Sequence, residues 1–491
     1  MSRINTNVAA IQALGRLRQN NDDLAVRLER LSTGLRINRG KDDPAGLIAS
    51  ETLRGEIHGI QQSIVNSTRA LNVINTAEGS LNEVSSLLLN IRDLLVSTAN
   101  EGALTSEEVS ANQLEIDNLL SSIDRIANNT TFGGKKLIDG SRAYALSSLN
   151  VAAGGGTVND IAAVSVYSAR VPENGTRAVV VQVTASAETA QVSFAGGGPL
   201  GGASVTSATT VEIAGKTGTE ILSFANSATM SEIKTAINDI KNVTGVSAIV
   251  VTTADGASPS ALQINSTTYG TDSFVTVKAI SGDFIVAGNN GSTTTDAGVD
   301  AGVLINGQQA SSSGLRADLR SGGLDLRVYL TPTFAQIASQ SSFNITGGGS
   351  TFQLTADVTP VGQVSVGFDS ASTANLGNAV VGYLSTLKSG GTNQVSQGNY
   401  IAAQGILDEA INQVAVFRGR LGSLSKNQLE TNINSQQISL ENVTSSESAV
   451  RDADIAHEVA ALTRSQILVQ STQSVLQIAV NAPSAVLSLL G

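Results

Sequence analysis

The chain of 491 residues contains no cysteine and no tryptophan, 2 histidines, and 3% aromatic residues. Without cysteine it can form no disulfide, no thiolate metal site and no cysteine nucleophile. Charged residues make up 14% of the chain, against about 25% in ordinary soluble proteins. The 41 acidic and 30 basic residues give a net charge of −11, which argues against nucleic acid as a partner.

Long hydrophobic runs are missing as well. The segment from Met1 to Leu17 is polar and mixed, without the apolar core and cleavage site of a secretory signal. No stretch reaches the roughly 18 uninterrupted apolar residues of a membrane-spanning helix. These facts favour a cytosolic protein with no membrane insertion. The lack of cysteine and a surface rich in serine and threonine also suit a protein that works outside the cell.

What the chain does have is aliphatic residues at helical spacing near both ends. From Asn5 to about Ala127 the pattern is helical, and alternating four- and three-residue spacings predict a coiled-coil seam. The members of this first seam are Ala10, Leu14, Leu17, Asn21, Leu24, Leu28, Leu31 and Leu35. Asp43 and Pro44 predict the start of a second helix that extends to about Thr98. At about 1.5 Å per residue it is roughly 80 Å long, too long for one compact globule.

The middle of the chain differs in kind from its ends. Thr105 and Glu108 form a capping box that predicts a third helix. From about Ser141 to Asn399, short alternations of Val, Ile and Thr between glycine-rich turns predict β-strands, with one helix at about 230–241. From about Tyr400 the pattern is helical again. The members of a second four-three seam are Ile455, Val459, Leu462, Gln466, Val469, Gln473, Leu476 and Val480.

The terminal helices predict the architecture. Each has a narrow apolar stripe that it cannot bury alone, so it needs a partner helix. The simplest arrangement folds the chain back, with the N- and C-terminal helices side by side and the β-rich middle at the far end. Pro483 is expected to break the last helix ahead of an apolar tail. The outermost stripes would still lack partners, which is typical of a subunit completed by assembly. A monomeric helical bundle with a β insertion is the alternative.

The expected fold class is therefore multidomain α+β. A long antiparallel α-helical coiled-coil stalk would be formed by both termini, and a central β-rich region would face solvent.

Specific motifs stand at both ends of the chain. At the N-terminus they are residues 4–7 (INTN), 30–38 (RLSTGLRIN) and 41–47 (KDDPAGL). At the C-terminus they are residues 438–439 (IS), 441–442 (EN), 455–456 (IA) and 483–490 (PSAVLSLL). These motifs resemble those of bacterial flagellins, and because they cover both helical zones the resemblance is specific for the ends of the chain.

The resemblance implies a structural subunit that polymerises into the flagellar filament for swimming motility. Such subunits leave the cell unfolded through the flagellar type III export apparatus, without a cleaved signal peptide, so the expected location is the extracellular filament. The expected partners are other copies of the chain, an export chaperone, and the cap and hook-associated proteins. In this family the terminal segments are typically disordered in the monomer and order on assembly.

The resemblance also suggests a division into domains. The expected parts are an N-terminal core coiled-coil helix at 1–40, the N-terminal half of the stalk at 41–140, a variable β-rich outer region at 141–399, the C-terminal half of the stalk at 400–450 and a C-terminal core coiled-coil helix at 451–491.

Two surfaces are expected to carry function. The members of the assembly surface are Leu24, Leu28, Leu31, Leu35, Val459, Leu462, Val469, Leu476, Val480, Val486, Leu489 and Leu490. The resemblance also suggests a surface for an innate immune receptor, at Asn90, Leu94 and Glu115. Recognised members of the family carry arginine where this chain has Asn90, which removes a bidentate donor. Receptor recognition is therefore expected to be weak or absent.

Enzymatic activity, metals and cofactors are not expected. His457 and Glu458 begin like the zinc-protease motif HExxH, but Ala461 stands at the position of the second histidine. Two other functions stay open beside the filament subunit. One is a hook-filament junction (hook-associated) protein, which shares both ends, and the other is a surface adhesin displayed on a helical stalk.

Overall fold

A computed structural model describes residues 6–100, 102–152, 160–172, 175–194, 205, 207–252, 259–282, 284, 286–287, 293–321, 323–378 and 381–487. Two compact units share these residues. The first unit takes in residues 1–71, 353–363 and 426–491, and the second takes in residues 72–352 and 364–425.

Helices build the first unit. They are α1 (Val8–Thr33), the first part of α2 (Pro44–Thr98), α8 (Thr431–Arg451) and α9 (Ile455–Leu487). Side-chain hydrogen bonds join α2 to α8 from Ser50 with Glu447 (3.3 Å) to Ser67 with Asn432 (3.2 Å). Since residue numbers rise along one helix as they fall along the other, the two helices are antiparallel. The bounds predicted for α2, Pro44 to Thr98, are confirmed.

The C-terminal helix departs from the sequence-based prediction. The expectation that Pro483 breaks it is wrong, because α9 continues through Pro483 to Leu487. Proline has no backbone N–H and so removes the helical hydrogen bond to the carbonyl four residues earlier, that of Ala479. That carbonyl accepts a hydrogen bond from Nδ2 of Asn7 instead, at 2.6 Å.

Three helices form the helical part of the second unit. They are the rest of α2, α3 (Ser106–Asn129) and α7 (Tyr400–Leu424). The predicted capping box of α3 is present: Thr105 accepts from the backbone N–H of Glu108, and the Glu108 carboxylate accepts from that of Thr105. Aliphatic side chains at heptad spacing are fully buried on α2, and they are Ile74, Ala77, Leu81, Val84, Leu88, Ile91 and Leu95. Ion pairs from Glu78 to Arg418 and from Arg92 to Asp408 show that α2 and α7 are antiparallel.

A first β region follows a short hairpin of β1 (Thr131–Phe132) and β2 (Lys135–Lys136). Its strands are β3 (Tyr144–Ala152), β4 (Ile161–Ala169), β5 (Arg177–Ala185), β14 (Gly302–Ile305), β15 (Gln308–Gln309), β16 (Ser311–Ser313), β17 (Arg316–Ser321), β18 (Leu324–Leu330) and β19 (Gln340–Gly348). They form sheets of order β15-β14-β5-β19-β3 and β16-β17-β18-β4. The alternating apolar side chains of both sheets share one core.

A second β region is inserted between β5 and β14. Its strands are β6 (Thr189–Phe194), β7 (Thr209–Gly215), β8 (Thr219–Phe224), β9 (Val246–Thr252), β10 (Pro259–Tyr269), β11 (Phe274–Ser281), β12 (Val286–Ala287) and β13 (Thr293–Ala297). The sheet orders are β12-β6-β10-β9 and β13-β11-β7-β8. The predicted helix is present as α4 (Met230–Asp239), followed by the short α5 (Lys241–Thr244). Met230, Ile233 and Ile237 of α4 pack into the core of this region.

Short elements complete the described chain. They are α6 (Pro332–Ala335), β20 (Ser350–Gln353), β21 (Gln363–Val366), β22 (Gly377–Asn378), β23 (Gly382–Tyr383) and a π-helical segment at Ser425–Glu430. The α+β class, with antiparallel pairing of N- and C-terminal helices and a β-rich middle, is confirmed.

Candidate assembly surface

The first and last helices of the chain pair with each other. Their side-chain contacts extend from Asn7 with the Ala479 carbonyl to Arg30 with Glu458, so α1 and α9 are antiparallel. Asn7 caps the start of α1, and Gly34 in the left-handed conformation (φ 70°) ends it. Beyond Gly34 a bridge between Leu35 and Asp452 closes this end of the pair.

A buried ion-pair cluster lies in the seam between the two helices. The side chain of Glu458 is 5% exposed, and its carboxylate lies 3.0 Å from Nη1 of Arg27 and 3.3 Å from Nη1 of Arg30. Burial alone would raise the pKa of Glu458, but the hydrogen bonds and charges of the two arginines hold that pKa below its usual range. About two turns farther along α9, the Ser465 hydroxyl donates to Asp23 at 2.6 Å.

Amide side chains continue the seam toward the other end of α1. Asn20 donates from Nδ2 to the Leu468 carbonyl at 3.4 Å and to the Thr472 hydroxyl at 3.3 Å. Polar contacts therefore alternate with aliphatic ones along the pair of α1 and α9. Buried charged and amide groups at seam positions fix register in coiled coils at some expense of stability.

The predicted assembly residues divide into two groups. Those that are buried or half-buried are Leu24, Leu31, Leu35, Leu462, Val469 and Leu476. The exposed ones are Leu28, Val459 and Val480, with exposed fractions of 49%, 44% and 57%. Val486 lies within α9 at a position whose side chain the structure does not describe, and Leu489 and Leu490 lie outside the described residues.

The covered stripes of the pair differ from the predicted seams at every second position. Along α1 the covered four-three stripe consists of positions 10, 13, 17, 20, 24, 27 and 31. Ala13, Asn20 and Arg27 therefore take the places that the prediction gave to Leu14, Asn21 and Leu28. The same shift occurs on α9, where Glu458 and Ser465 take the place of Val459 and Gln466. Both stripes obey the four-three spacing, so spacing alone cannot choose between them. The missed signal is the small or polar residue that recurs every seven positions at 13, 20 and 27 and at 458, 465 and 472.

Large apolar side chains remain uncovered on both helices. On α1 they are Val8, Ile11, Leu14 and Leu28. On α9 they are Ile455, Val459, Ile467, Leu468, Val475, Ile478 and Val480. At about 100° per residue, positions 467, 475 and 480 point in three different directions. Exposed aliphatic side chains therefore lie over most of the circumference of α9 that α1 leaves open, among polar ones such as Gln470 and Gln477. So much exposed aliphatic surface on one helix is typical of an interaction site.

Alternative uses of α9 find no support among the described residues. None of their helices is long and apolar enough to span a membrane, and none of their His, Cys, Asp and Glu side chains cluster in a way that could hold a metal ion. His457 is exposed, and Glu458 of the incomplete HExxH motif is occupied by its two arginines.

The predicted receptor residues lie on two neighbouring helices of the second unit. Asn90 and Glu115 are exposed, and Leu94 is half-buried. Asn112 of α3 donates to the Thr98 hydroxyl of α2 at 3.0 Å, which brings the two helices together at this level.

Comparison with known proteins identifies both ends of the chain. The model of the bacterial flagellin N-terminal helical region matches residues 4–143, and that of the bacterial flagellin C-terminal helical region matches residues 404–490. The chain is similar to the flagellin of Clostridium tyrobutyricum, with 28% identity over 96% of this chain and 97% of that one. It is also similar to the B-type flagellin of Pseudomonas aeruginosa, with 29% identity over 99% of each chain.

Identity is higher where only part of the chain is aligned. The flagellin of Bacillus subtilis is 45% identical over 139 residues, which are 28% of this chain and 46% of that one. Among solved structures, a flagellar junction protein from Legionella pneumophila covers 82% of this chain and 99% of its own at 15% identity, with a TM-score of 0.28.

Proposed function

Because this chain belongs to the bacterial flagellin family, we propose that it polymerises into the flagellar filament through its terminal helices. Flagellins are structural proteins of the extracellular flagellum, so the chain is a structural protein and not an enzyme. The proposal concerns how it assembles, leaves the cell and meets its partners.

One observation carries the proposal. Helix α9 leaves aliphatic side chains exposed over most of its circumference, because α1 covers one side only. Fully burying one Ile or Leu side chain contributes about 1.5–3 kcal/mol, so the exposed side chains of α9 represent a large unused source of binding free energy. In a homopolymer, copies of the same helices supply the missing cover, and a contact between two different surfaces extends without closing.

The expected partners follow from these exposed aliphatic side chains. Other copies of the chain cover the exposed aliphatic side chains of α1 and α9, among them Leu28, Val459 and Val480 of the predicted assembly surface. A cap, hook-associated proteins and an export chaperone act before or at the ends of the polymer. Export occurs through the flagellar type III apparatus without cleavage, and the mass of the subunit recovered from filaments tests this, since cleavage would shorten it at the N-terminus.

Polymerisation of matched isoleucine variants tests the role of α9. Ile478 is 71% exposed on α9, and Ile337 is 62% exposed in the β-rich region. We expect Ile478→Asn to raise the critical concentration for filament growth at least about tenfold, which corresponds to about 1.4 kcal/mol. Ile337→Asn should leave it unchanged. Electron microscopy and sedimentation measure both.

Several results would contradict the proposal. Equal effects of the two isoleucine variants would mean that α9 has no special part in assembly. A purified wild-type chain that forms no filaments would instead favour a junction protein, which does not polymerise by itself.

We also propose that innate immune recognition is weak or absent. The position of Asn90 is exposed, and its neutral amide cannot replace the two parallel charge-assisted bonds of an arginine. A receptor reporter assay should show little response to the wild-type chain and a gain with Asn90→Arg. Full-strength activation by the wild type would refute this.

A further inference from the structure

The side chain of Asn7 makes two hydrogen bonds at once. Its Oδ1 accepts from the backbone N–H of Ala10 at 3.0 Å and so caps α1. Its Nδ2 donates to the carbonyl of Ala479 in α9 at 2.6 Å, across 472 positions of sequence. One amide group therefore caps the first helix and contacts the last.

The acceptor on α9 is not an arbitrary carbonyl. In an α-helix each carbonyl accepts from the N–H four residues later, and four residues after Ala479 comes Pro483, which has no N–H. Pro483 is the single proline in the sequence of α9. Every other carbonyl of α9 before its last turn has an N–H donor within the helix. The carbonyl of Ala479 has none there, because its donor would be residue 483. A polar backbone group without a partner is costly, so a donor at this point is worth more than one elsewhere.

A second asparagine in the same seam provides the contrast. Asn20 donates to the carbonyl of Leu468 at 3.4 Å. That carbonyl also has a helical donor, because residue 472 is Thr and carries an N–H. The longer bond of Asn20 is therefore an addition to a satisfied group, whereas the shorter bond of Asn7 replaces a bond that the helix lacks.

We propose that Asn7 is a positioning residue that sets the register of α1 against α9 by supplying the donor that Pro483 removes. Sliding α9 by one turn in either direction would place the Asn7 amide opposite a carbonyl that already has its helical partner. It would also leave the Ala479 carbonyl without one. The pair therefore has one preferred register, which the Arg27–Glu458 ion pair reinforces farther along the seam.

Joint ordering of the two chain ends follows. When Nδ2 of Asn7 is held by α9, Oδ1 of the same amide is held in place to cap α1, so docking and capping support each other. Residues near both ends of the chain then become helical in one step. This deepens the proposed function and rests on it, since the ordered pair is the surface offered to neighbouring copies.

A double-mutant cycle between residues 7 and 483 tests the proposal in the full-length chain. Asn7→Ser keeps a good capping oxygen but is too short to reach α9. Pro483→Ala returns the missing N–H to the helix. Asn20→Ser is the matched control, because it removes a seam amide that faces a carbonyl with a helical donor. Growth from preformed wild-type filament seeds gives the critical concentration. Hydrogen exchange of residues 476–487, measured both in the soluble chain and in the filaments, reports helix order in each state.

We expect Asn7→Ser to raise the critical concentration about tenfold with Pro483 present and less than about twofold in the Pro483→Ala background. Exchange at residues 476–487 should accelerate only in the first case. Asn20→Ser should have the same small effect in both backgrounds.

An equal effect of Asn7→Ser in the two backgrounds, or no effect in either, would overturn the proposal. If the Asn7→Ser subunit does not grow at all, the proposal is still tested, because growth must return when Pro483→Ala is added. Failure of the wild type to polymerise would refute the proposed function instead, and the exchange measurement would still test the register.

Discussion

Helices α1 and α9 meet through a seam in which charged, amide and hydroxyl side chains alternate with aliphatic ones, whereas α2, α3 and α7 meet through aliphatic side chains. In the first pairing, Glu458 and Ser465 are 4% and 3% exposed. In the second, Leu88 and Ile91 of α2 and Ile116 of α3 are fully buried. The same chain therefore builds one helical packing with a continuous buried aliphatic stripe and another in which buried polar side chains interrupt it.

The difference separates two uses of a coiled-coil seam. An aliphatic seam supplies stability, because apolar burial is large and does not depend on direction. A polar seam supplies register, because each buried donor has to meet its acceptor. The aliphatic side chains of α1 and α9 that are exposed within the chain are those that the proposed filament contact would bury.

The largest expected effect concerns the aliphatic packing. Leu88 is 0% exposed, and Leu88→Ala should destabilise the second unit by about 2–5 kcal/mol, because it removes buried methyl groups and leaves a cavity. Its neighbour Leu89 is 47% exposed, and Leu89→Ala should change the stability by less than about 0.5 kcal/mol. Denaturant unfolding followed by circular dichroism measures both. Similar losses for the two variants would mean that α2 does not pack as described.

A smaller effect is expected in the polar seam. Glu458→Gln removes the charge that Arg27 and Arg30 share, and it should destabilise assembled filaments by about 1–2 kcal/mol per subunit, since the arginines are partly exposed and water screens part of the loss. Glu441 of α8 is exposed, and Glu441→Gln is the matched control. Thermal depolymerisation measures the difference. If both variants melt like the wild type, the cluster does not hold α1 to α9.

Sequence could predict the helices more fully than the faces by which they meet. The bounds of α2, the capping box at Thr105 and the helix after Thr229 follow from local signals, namely apolar period and capping chemistry. The covered face of α9 does not, because two neighbouring stripes fit the four-three spacing and spacing alone does not choose between them. Its partner Arg27 is also more than 400 residues away in sequence.

Two further features escaped prediction for related reasons. The sequence of helix α8 shows no apolar period, and none of its residues is buried. Hydrogen bonds such as that of Ser67 with Asn432 hold it to α2. Continuation of α9 past Pro483 depends on a donor from the opposite end of the chain. Local patterns predict the elements, and long-range polar contacts decide how those elements end and pair.

Acid should weaken the polar seam by neutralising the carboxylate of Glu458. The loss of stability should not exceed that of Glu458→Gln, because both changes remove the same negative charge. The folded pKa of Glu458 is held below its usual value, so its stabilising contribution is full above the unfolded value of about 4.3. That contribution is lost as the pH falls through the lower folded pKa. Depolymerisation midpoints measured between neutral and acid pH should fall less steeply for Glu458→Gln than for the wild type. Parallel curves would mean that other carboxylates dominate the acid response.

The smallest expected effect concerns a charge pair on the outside of the aliphatic packing. Arg92 and Asp408 lie 3.6 Å apart, with side chains 45% and 46% exposed, so water and salt screen their attraction. Arg92→Gln should change the unfolding free energy of the second unit by less than about 1 kcal/mol, which is at most a few degrees in melting temperature. The change should shrink further in high salt. A loss as large as that expected for Glu458→Gln would break the comparison, because ion pairs would then stabilise both packings equally and burial in the α1–α9 seam would have no special role.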